Sequence, residues 1–338
     1  MKAALIGYGY WGKNIARNIA QSEHFELDTI CDLNQNSLAK ADKIHPGVNL
    51  TTDYTTISDE IEIVAPIVPV DMHFKFADYF LDQNKHVLLT KPFTKTYEEA
   101  QMLIDKANSK GLTIFADHTF IFNPAVRKIK ELLPKLGDVF FVISSRLNLG
   151  LYQPDVNVVY DLMPHDLSII NYLFESDVES ATTSSFNAAG LPQEDFAQTS
   201  IIFENDLKAF INVSWLSPFK VRDFIIIGSE GMISYNDNSP DEKVKFYNKK
   251  IKMKDLINTN EELSYTTRIN YKTGDLFVPH LGQQEALSLE MEEFYKAINN
   301  KEVRDFYNSI TLKTMNSLEK VVQAQNNVSQ NTKYKKSA

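Results

Sequence analysis

The sequence has little that would tie it to an oxidising compartment, a nucleic acid or a membrane. Its 338 residues include one cysteine, Cys31, which cannot form an internal disulfide and which we interpret as a small buried residue. The net charge of −9 does not favour binding to nucleic acid or to an anionic membrane. No apolar run is long enough to span a bilayer, and the first predicted strand begins at residue 3. We therefore expect a cytoplasmic protein.

A metal-ligand pattern is also missing. The 7 histidines are scattered along the chain without the spacing that metal sites use, so we predict no metal. The apolar fraction of 43% and the charged fraction of 23% are ordinary for a globular protein. A chain of 338 residues is long enough for two domains and a sizeable core.

A glycine-rich stretch near the start of the chain lies between a predicted strand and a predicted helix. Apolar residues occupy 3–6, the stretch Gly7-Tyr8-Gly9-Tyr10-Trp11-Gly12 follows, and residues 14–21 have a helical pattern. In this arrangement the first glycine permits a sharp turn, the second lets the backbone approach a pyrophosphate, and the third lets the helix pack on the strand. The N–H groups and dipole at the helix start then favour the phosphates.

The second predicted strand supports the same interpretation because it ends in an acid. Asp32 follows the apolar run and lies 20 residues after Gly12, where a ribose-binding acid belongs. A carboxylate at this place hydrogen-bonds the ribose hydroxyls of NAD and repels the 2′-phosphate of NADP. The sequence therefore predicts a dinucleotide site for NAD, with NADP less favoured.

The pattern of elements changes partway along the chain. Over residues 1–120 strand-like and helix-like stretches alternate, which predicts a Rossmann domain with a doubly wound parallel sheet. After Gly137 short strands follow one another with tight turns, which predicts an α+β domain with a large, mostly antiparallel open sheet. We predict a dinucleotide-binding domain at 1–120, a substrate-binding and oligomerisation domain at 121–330, and a flexible tail at 331–338.

Two stretches carry residues suited to chemistry. Lys91 follows a predicted strand, and ligands of open parallel sheets bind beyond the carboxyl ends of the strands, although a surface lysine is the common alternative. Asp161 and His165 are four residues apart, so they share one face of a predicted helix. A carboxylate can orient a histidine and raise its basicity, whereas the alternative is a capping Asp beside a structural His.

Together these motifs resemble the Gfo/Idh/MocA oxidoreductases. The stretches that match the family in order and spacing are Gly7 to Gly12, Asp32, Pro69-Val70-Asp71-Met72-His73, Lys91-Pro92 and Asp161-x-x-x-His165. The resemblance implies a Rossmann domain and an α/β domain whose open sheet forms a homodimer or homotetramer. It also implies oxidation of a carbinol, or reduction of a ketone, on sugars, inositols and related polyols with NAD(P).

The resemblance also implies roles for individual residues. His165 would be the catalytic base, Lys91 a cation that orients the hydroxyl, and Asp161 the partner of His165 or a substrate ligand. Thr90 stands where the family usually has Glu, which affects the orientation of the lysine and of the nicotinamide ribose. The residues implied at the cofactor are Gly7, Gly9, Tyr10, Trp11, Gly12, Asp32, Pro69, His73, Lys91 and Pro92.

Residues 117–127 and 155–157 are similar to bacterial members of the family that act on nucleotide-linked sugars for surface polysaccharide, including 3-dehydrogenases. We expect such a sugar as the substrate, with Arg146 and Asn157 as candidate contacts. A deoxysugar ketoreductase and an inositol or free-sugar dehydrogenase are alternatives. A non-catalytic cofactor-binding sensor is a further alternative, favoured only by Thr90.

Overall fold

The chain forms two compact units in a computed structural model. The residues that the structure describes are 1–150, 152, 155–190, 192–251, 271–272 and 274–331. The first unit consists of Met1–Asn123, Leu167–Glu175 and Gln284–Glu319. The second unit consists of the described residues within Pro124–Asp166, Ser176–Gln283 and Lys320–Ala338.

Strands and helices are numbered here separately, each in chain order. The strands are β1 (Lys2–Ile6), β2 (Glu26–Cys31), β3 (Asn49–Thr51), β4 (Ile63–Pro66), β5 (His86–Thr90), β6 (Ile114–Asp117), β7 (Val139–Leu147), β8 (Val178–Phe186), β9 (Phe196–Phe203), β10 (Lys208–Ser214), β11 (Val221–Gly228), β12 (Met232–Asn236), β13 (Val244–Tyr247), β14 (Lys250–Ile251), β15 (Tyr271–Lys272) and β16 (Leu276–Phe277). The helices are α1 (Gly12–Gln21), α2 (Gln35–Ile44), α3 (Val70–Asp82), α4 (Tyr97–Ser109), α5 (Pro124–Leu132), α6 (Val158–Phe174), α7 (Ala286–Asn299) and α8 (Lys301–Asn331).

A six-stranded parallel sheet organises the first unit, with the order β3-β2-β1-β4-β5-β6. The strands next to the centre are apolar along their length: residues 3–6 of β1 and all of β4 are buried. Parallel sheets have this character because helices cover both faces. In a sheet of this order the ligand site lies beyond the carboxyl ends of the strands, where β1 and β4 lead to opposite sides. The predicted Rossmann sheet is confirmed.

The core of the first unit includes residues far apart in the sequence. Ile15 and Ile19 of α1 belong to the same apolar cluster as Met291 and Phe294 of α7. Arg17 of α1 also makes a two-pronged ion pair with Glu285, at 2.8 and 2.7 Å, just before α7 begins. The first unit therefore includes helical residues that we had predicted within the second domain.

An eight-stranded sheet organises the second unit, with the order β16-β13-β12-β11-β7-β10-β9-β8. Its pairs are antiparallel except for the parallel pair of β7 and β10, so the prediction of a large, mostly antiparallel sheet is confirmed. Along β10 the side chains alternate: Ala209 and Ile211 are buried, whereas Phe210 is 41% exposed. Phe141 of β7 lies on the same exposed face and meets Phe210 edge to face, at 6.3 Å between ring centroids.

The start of α6 and the end of α8 can be compared with the sequence prediction. The helix predicted to carry Asp161 and His165 is α6, and it begins at Val158, three residues before Asp161. The predicted tail begins at Asn331, which is the last residue of α8, and residues 332–338 lie outside the described part of the chain. Within that described part, no helix is both long and apolar enough to cross a membrane.

Candidate active site

The glycine-rich turn between β1 and α1 is tightly packed on one side and open on the other. Gly7 has a φ of +94°, and a Cβ there would lie 2.2 Å from the carbonyl oxygen of Ile67. A Cβ on Gly12 would lie 1.9 Å from the carbonyl oxygen of Gly7. A Cβ on Gly9 would meet nothing within 4 Å, so the turn leaves free space at the position where a pyrophosphate approaches the backbone.

The start of α1 suits a diphosphate. Its first turn carries no acidic residue, so nothing there opposes the positive end of the helix dipole. Tyr10 is 81% exposed beside the turn, whereas Trp11 is half-buried and its indole N–H donates a hydrogen bond to Asp117 over 2.6 Å. The residues present therefore fit the dinucleotide that the sequence predicted.

Asp32 lies against the same turn. Its Oδ2 accepts the backbone N–H of Tyr8 and its Oδ1 accepts the N–H of Asn34, each over 2.7 Å. These two bonds fix the carboxylate at the carboxyl end of β2, next to the turn that follows β1. A carboxylate oxygen has a second lone pair, so each can still accept a bond from a ribose hydroxyl.

His73 joins the loop before α3 to the segment after β5. Its Nδ1 lies 3.0 Å from the carbonyl oxygen of Pro92, and its Nε2 lies 3.0 Å from that of Val68. The ring is buried, and burial lowers the pKa of His73 against the opposing effect of these carbonyl groups. Thr90 is buried beside it, with Oγ1 3.4 Å from Nε2. Through these contacts His73 links the segment before α3 to the segment after β5 at the carboxyl edge of the sheet.

Lys91 follows β5 directly, between Thr90 and the cis-linked Pro92. The strands of the first unit are parallel, so Lys91 lies at the same edge of the sheet as the glycine-rich turn and Asp32. Pro69 lies at this edge too, as the residue before α3. The first unit thus brings the predicted cofactor residues together.

The second unit holds the Asp-x-x-x-His pair. Asp161 and His165 lie one turn apart on α6, and both are half-buried. Asp161 accepts a hydrogen bond from the indole Nε1 of Trp215 over 2.9 Å, and Trp215 is only 3% exposed. His165 is less enclosed than the helix residues around it, since Met163 and Leu167 are buried and His165 is half-buried. This arrangement gives an oriented carboxylate beside a partly accessible imidazole.

The two predicted substrate contacts make bonds within the second unit. Arg146 is buried in an ion pair with Asp166, with Nε 2.9 Å from Oδ2, and Ser144 donates to the same carboxylate over 2.8 Å. Asn157 caps α6: its Oδ1 accepts the N–H of Tyr160, and its amide donates to Glu194. These contacts favour a framework role for both residues, and substrate binding by them stays a prediction.

Three of the residues that bond to predicted site residues, within one unit or the other, received no role from the sequence. They are Asp117, Asp166 and Trp215. Asp117 ends a predicted strand and Asp166 follows His165, so position alone drew attention to them. Their partners come from distant parts of the chain, and no local pattern indicates that pairing.

The parallel sheet, the open glycine-rich turn and the strand-end acid define a dinucleotide-binding fold. Residues 1–118 match a family described as "Oxidoreductase family, NAD-binding Rossmann fold", and residues 135–234 match the "GFO/IDH/MocA C-terminal domain". The chain belongs to the Gfo/Idh/MocA family, and its cofactor is a nicotinamide dinucleotide.

Relatives of known structure have the same fold. UDP-N-acetylglucosamine 3-dehydrogenase of Acidithiobacillus ferrooxidans is 27% identical over 177 residues, which are 50% of this chain and 53% of that protein. Its crystal structure has a TM-score of 0.77 at 21% identity, over 96% of this chain and 97% of that one. KijD10, a 3-ketoreductase from Actinomadura kijaniata in complex with TDP-benzene and NADP, has a TM-score of 0.78 at 14% identity, over 96% and 98%. Likeness at this level of identity shows the fold.

An oxidoreductase of Streptococcus pneumoniae serotype 4, whose activity is uncharacterised, is 24% identical over 250 residues. The match covers 69% of this chain and 68% of that protein.

Proposed function

We propose that this protein is an NAD-dependent dehydrogenase that acts on a secondary alcohol of a nucleotide-linked sugar, in the manner of a 3-dehydrogenase in surface polysaccharide synthesis. The observation that carries the proposal is the pair on α6, where Trp215 orients Asp161 one turn before the partly accessible His165. A cofactor-binding sensor needs the nucleotide site but has no use for such a base.

The roles of the chain's residues follow from their chemistry. When bound, the nicotinamide ring accepts or delivers a hydride. His165 takes the hydroxyl proton as general base, because imidazole titrates near neutral pH. The ammonium group of Lys91 orients the hydroxyl and stabilises the charge that develops on its oxygen. Asp161 keeps the ring of His165 oriented or holds a hydroxyl of the sugar.

The cofactor would be held by the first unit. The turn around Gly9 receives the diphosphate, and Asp32 receives the ribose hydroxyls and opposes a 2′-phosphate. We therefore propose NAD as the preferred dinucleotide.

A nucleotide-linked sugar is supported by the relatives, whose names include a UDP-sugar dehydrogenase and a ketoreductase bound to a TDP compound. The diphosphate of such a substrate adds binding energy remote from the reacting carbon, which can position that carbon. It requires cationic or N–H partners. Lys220 of the second unit is exposed and is one candidate, whereas Arg222 is engaged with Asp237 over 3.1 Å.

The test is a substrate panel followed at the nicotinamide absorbance band, with products identified by mass. It should contain UDP- and dTDP-linked sugars, especially uronates and N-acetylated sugars, with free glucose and inositol for comparison. A 2-oxoacid should be included to recycle cofactor that stays bound. We expect turnover on a nucleotide sugar and little on the free sugars. Turnover confined to free sugars or inositol would reject the substrate class.

Variants test the residues. His165→Asn and Lys91→Met should each lower turnover by about 10²- to 10⁴-fold, the usual range for general acid–base groups. His280→Asn and Lys95→Met are matched controls, because His280 is exposed and Lys95 pairs with Asp71 at the surface. Wild-type turnover in both active-site variants, with chemistry rate-limiting, would contradict the assignment.

A second candidate is the reverse reaction, reduction of a keto sugar with NADPH. The 3-ketoreductase among the structural relatives favours it. Titration of apo protein with both dinucleotides separates the two candidates, since tighter binding of NADP would support the reductase.

We also propose that the exposed face of the eight-stranded sheet joins copies of this chain in a homodimer or homotetramer. Phe210, Ile202 and Ile143 are large apolar residues exposed on this sheet. Contiguous apolar surface of this kind marks interaction sites. Phe210→Lys should shift the mass measured by light scattering towards the monomer, and an unchanged mass would contradict the proposal.

A further inference from the structure

Two buried carboxyl groups lie beneath the glycine-rich turn of the first unit. Asp117 ends β6 and is 1% exposed, and Glu290 lies in the second turn of α7 and is 0% exposed. Neither is among the residues that the family resemblance implies at the cofactor. A buried carboxyl group needs a reason to be there, because an apolar side chain of similar size would avoid the desolvation penalty.

Asp117 accepts two side-chain hydrogen bonds. Its Oδ2 accepts the indole N–H of Trp11 over 2.6 Å, and its Oδ1 accepts the hydroxyl of Thr119. Burial lowers the pKa of the adjacent His118 to about 4, so the imidazole is neutral at pH 7 and does not balance the charge. The indole N–H is thus a main support of this carboxylate.

Glu290 is the second buried carboxyl group, and within the described part of the chain its two oxygens have no hydrogen-bond partner. Burial, followed by the negative charge of Asp117, raises the pKa of Glu290 well above its usual range. When two carboxyl groups share a buried site, only one of them ionises readily.

Trp11 connects this pair to the turn. It lies between Gly9 and Gly12 and packs against the core with part of its ring. Its backbone carbonyl accepts the N–H groups of Asn14 and Ile15, at 2.9 and 3.3 Å, so its position sets the start of α1. An indole that is fixed in place therefore fixes the backbone that faces a diphosphate.

We propose that Asp117 is a positioning residue, which holds Trp11 and so preorganises the glycine-rich turn for the diphosphate of the dinucleotide. A turn with three glycines has more freedom to lose than other sequences, so an anchored side chain reduces the entropy lost on binding. The inference rests on the NAD-binding fold and does not depend on which sugar is the substrate.

The experiment measures the binding of NAD and of ADP-ribose by calorimetry, with no turnover involved. ADP-ribose keeps the diphosphate and lacks the nicotinamide, so it reports on the turn alone. Trp11→Phe keeps an aromatic ring and removes the N–H. We expect it to weaken both ligands by about tenfold, because hydrogen bonds to charged groups are among the stronger ones.

Asp117 is tested with two variants of similar size. Asp117→Asn keeps an acceptor oxygen for the indole N–H, so both affinities should stay within about threefold of wild type. Asp117→Leu removes the acceptor, and the affinities should fall by about as much as in Trp11→Phe. A role in packing alone would move the unfolding temperature in these variants without separating their affinities.

Thr113→Val is the matched control. The Thr113 hydroxyl donates to the carbonyl oxygen of Ala297 over 3.3 Å, which links the β6 end of the sheet to α7 away from the turn. It should lower the unfolding temperature and leave both affinities unchanged. Wild-type affinity for NAD and ADP-ribose in folded Trp11→Phe would overturn the proposal, as would equal affinities in Asp117→Asn and Asp117→Leu.

Discussion

The chain has 2 tryptophans, one in each unit, and each donates its indole N–H to an aspartate. The buried member of the pair is the aspartate in one unit and the tryptophan in the other. In the first unit the indole of Trp11 donates to Asp117, and in the second the indole of Trp215 donates to Asp161. Asp117 and Trp215 are the buried partners, whereas Trp11 and Asp161 are half-buried. The buried partner is held by its core, so the half-buried partner is the one whose position the bond fixes.

The comparison shows that burial, and not residue type, decides which side chain is the anchor. In the first unit an aspartate positions a turn that we expect to bind cofactor. In the second unit a tryptophan positions an aspartate that we expect to serve the chemistry. The same substitution of tryptophan by phenylalanine should therefore affect a binding step in one unit and turnover in the other.

Another buried aspartate, Asp166, sharpens the comparison because a cation balances it. Arg146→Met would leave Asp166 buried without that cation, and removal of one member of a buried ion pair costs about 3–5 kcal/mol. We expect a loss of this size in the free energy of unfolding, measured with urea. No matching loss is expected from Trp11→Phe, because Asp117 keeps the Thr119 hydroxyl.

Two controls accompany the Arg146 experiment. Arg146→Met combined with Asp166→Leu should recover most of the stability, since apolar residues replace the whole pair. Lys245→Met breaks a surface pair with Glu242 and should leave the denaturation midpoint unchanged. A midpoint equal to wild type in the Arg146 single variant would contradict the assignment of a framework role.

The second prediction concerns Glu290, the buried carboxyl group near the bond between Trp11 and Asp117. We expect the free energy of unfolding to depend on pH through this group. The pKa of Glu290 is raised in the folded protein, so its stabilising contribution is complete below the unfolded value of about 4.3 and is lost as pH rises above it. In the pH range where only the folded state keeps the proton, the free energy of unfolding falls by about 1.4 kcal/mol for each pH unit. The variant Glu290→Gln has no ionisable group at this position and serves as the reference. Asp117 and His118 are present in both proteins, so the difference between the two proteins reports on Glu290.

The measurement is urea unfolding of the wild type and Glu290→Gln at pH 5, 6 and 7. The wild type should lose stability relative to the variant at each step upward. A constant difference across these pH values would show that Glu290 titrates alike in the folded and unfolded chains.

The second tryptophan bond gives the third prediction. Trp215→Phe keeps the ring and removes the donor to Asp161, so kcat should fall by about tenfold, within the range of hydrogen bonds to charged groups. The Kd for NAD should not change, in contrast to Trp11→Phe. The assay uses the substrate that the panel identifies. A change in NAD affinity with kcat intact would reverse the roles assigned to the two bonds.

The smallest effect is expected at Asp32, a functional carboxylate held by backbone N–H groups instead of an indole. Asp32→Ala should narrow the preference for NAD over NADP by about fivefold, because the lost repulsion acts near solvent where charges are screened. Asp42→Ala, on the exposed surface of α2, should leave the ratio of the two Kd values unchanged. Tighter binding of NADP by the wild type would contradict the assigned preference.

The sequence was sufficient to predict the fold and the residues that lie at the carboxyl edge of the parallel sheet. Gly7 and Gly12 are required where a Cβ would collide with a carbonyl oxygen, and such positions leave a readable pattern. Asp32 and Lys91 follow strands, and parallel strands end at a common edge, so their positions in the chain place them there. The spacing of Asp161 and His165 likewise puts them on one helix face without knowledge of the rest of the fold.

The sequence by itself therefore determined what local geometry enforces: the turn, the alternation of elements and the residues at strand ends. Only the tertiary structure decided which partners these residues have. Arg146 lies 20 positions from Asp166 and Trp11 lies 106 positions from Asp117, and their pairing depends on strand order and on which faces are buried. The physical reason is that desolvation, which makes an anchor of Asp117 and of Trp215, is a property of the assembled core and not of any short stretch of chain.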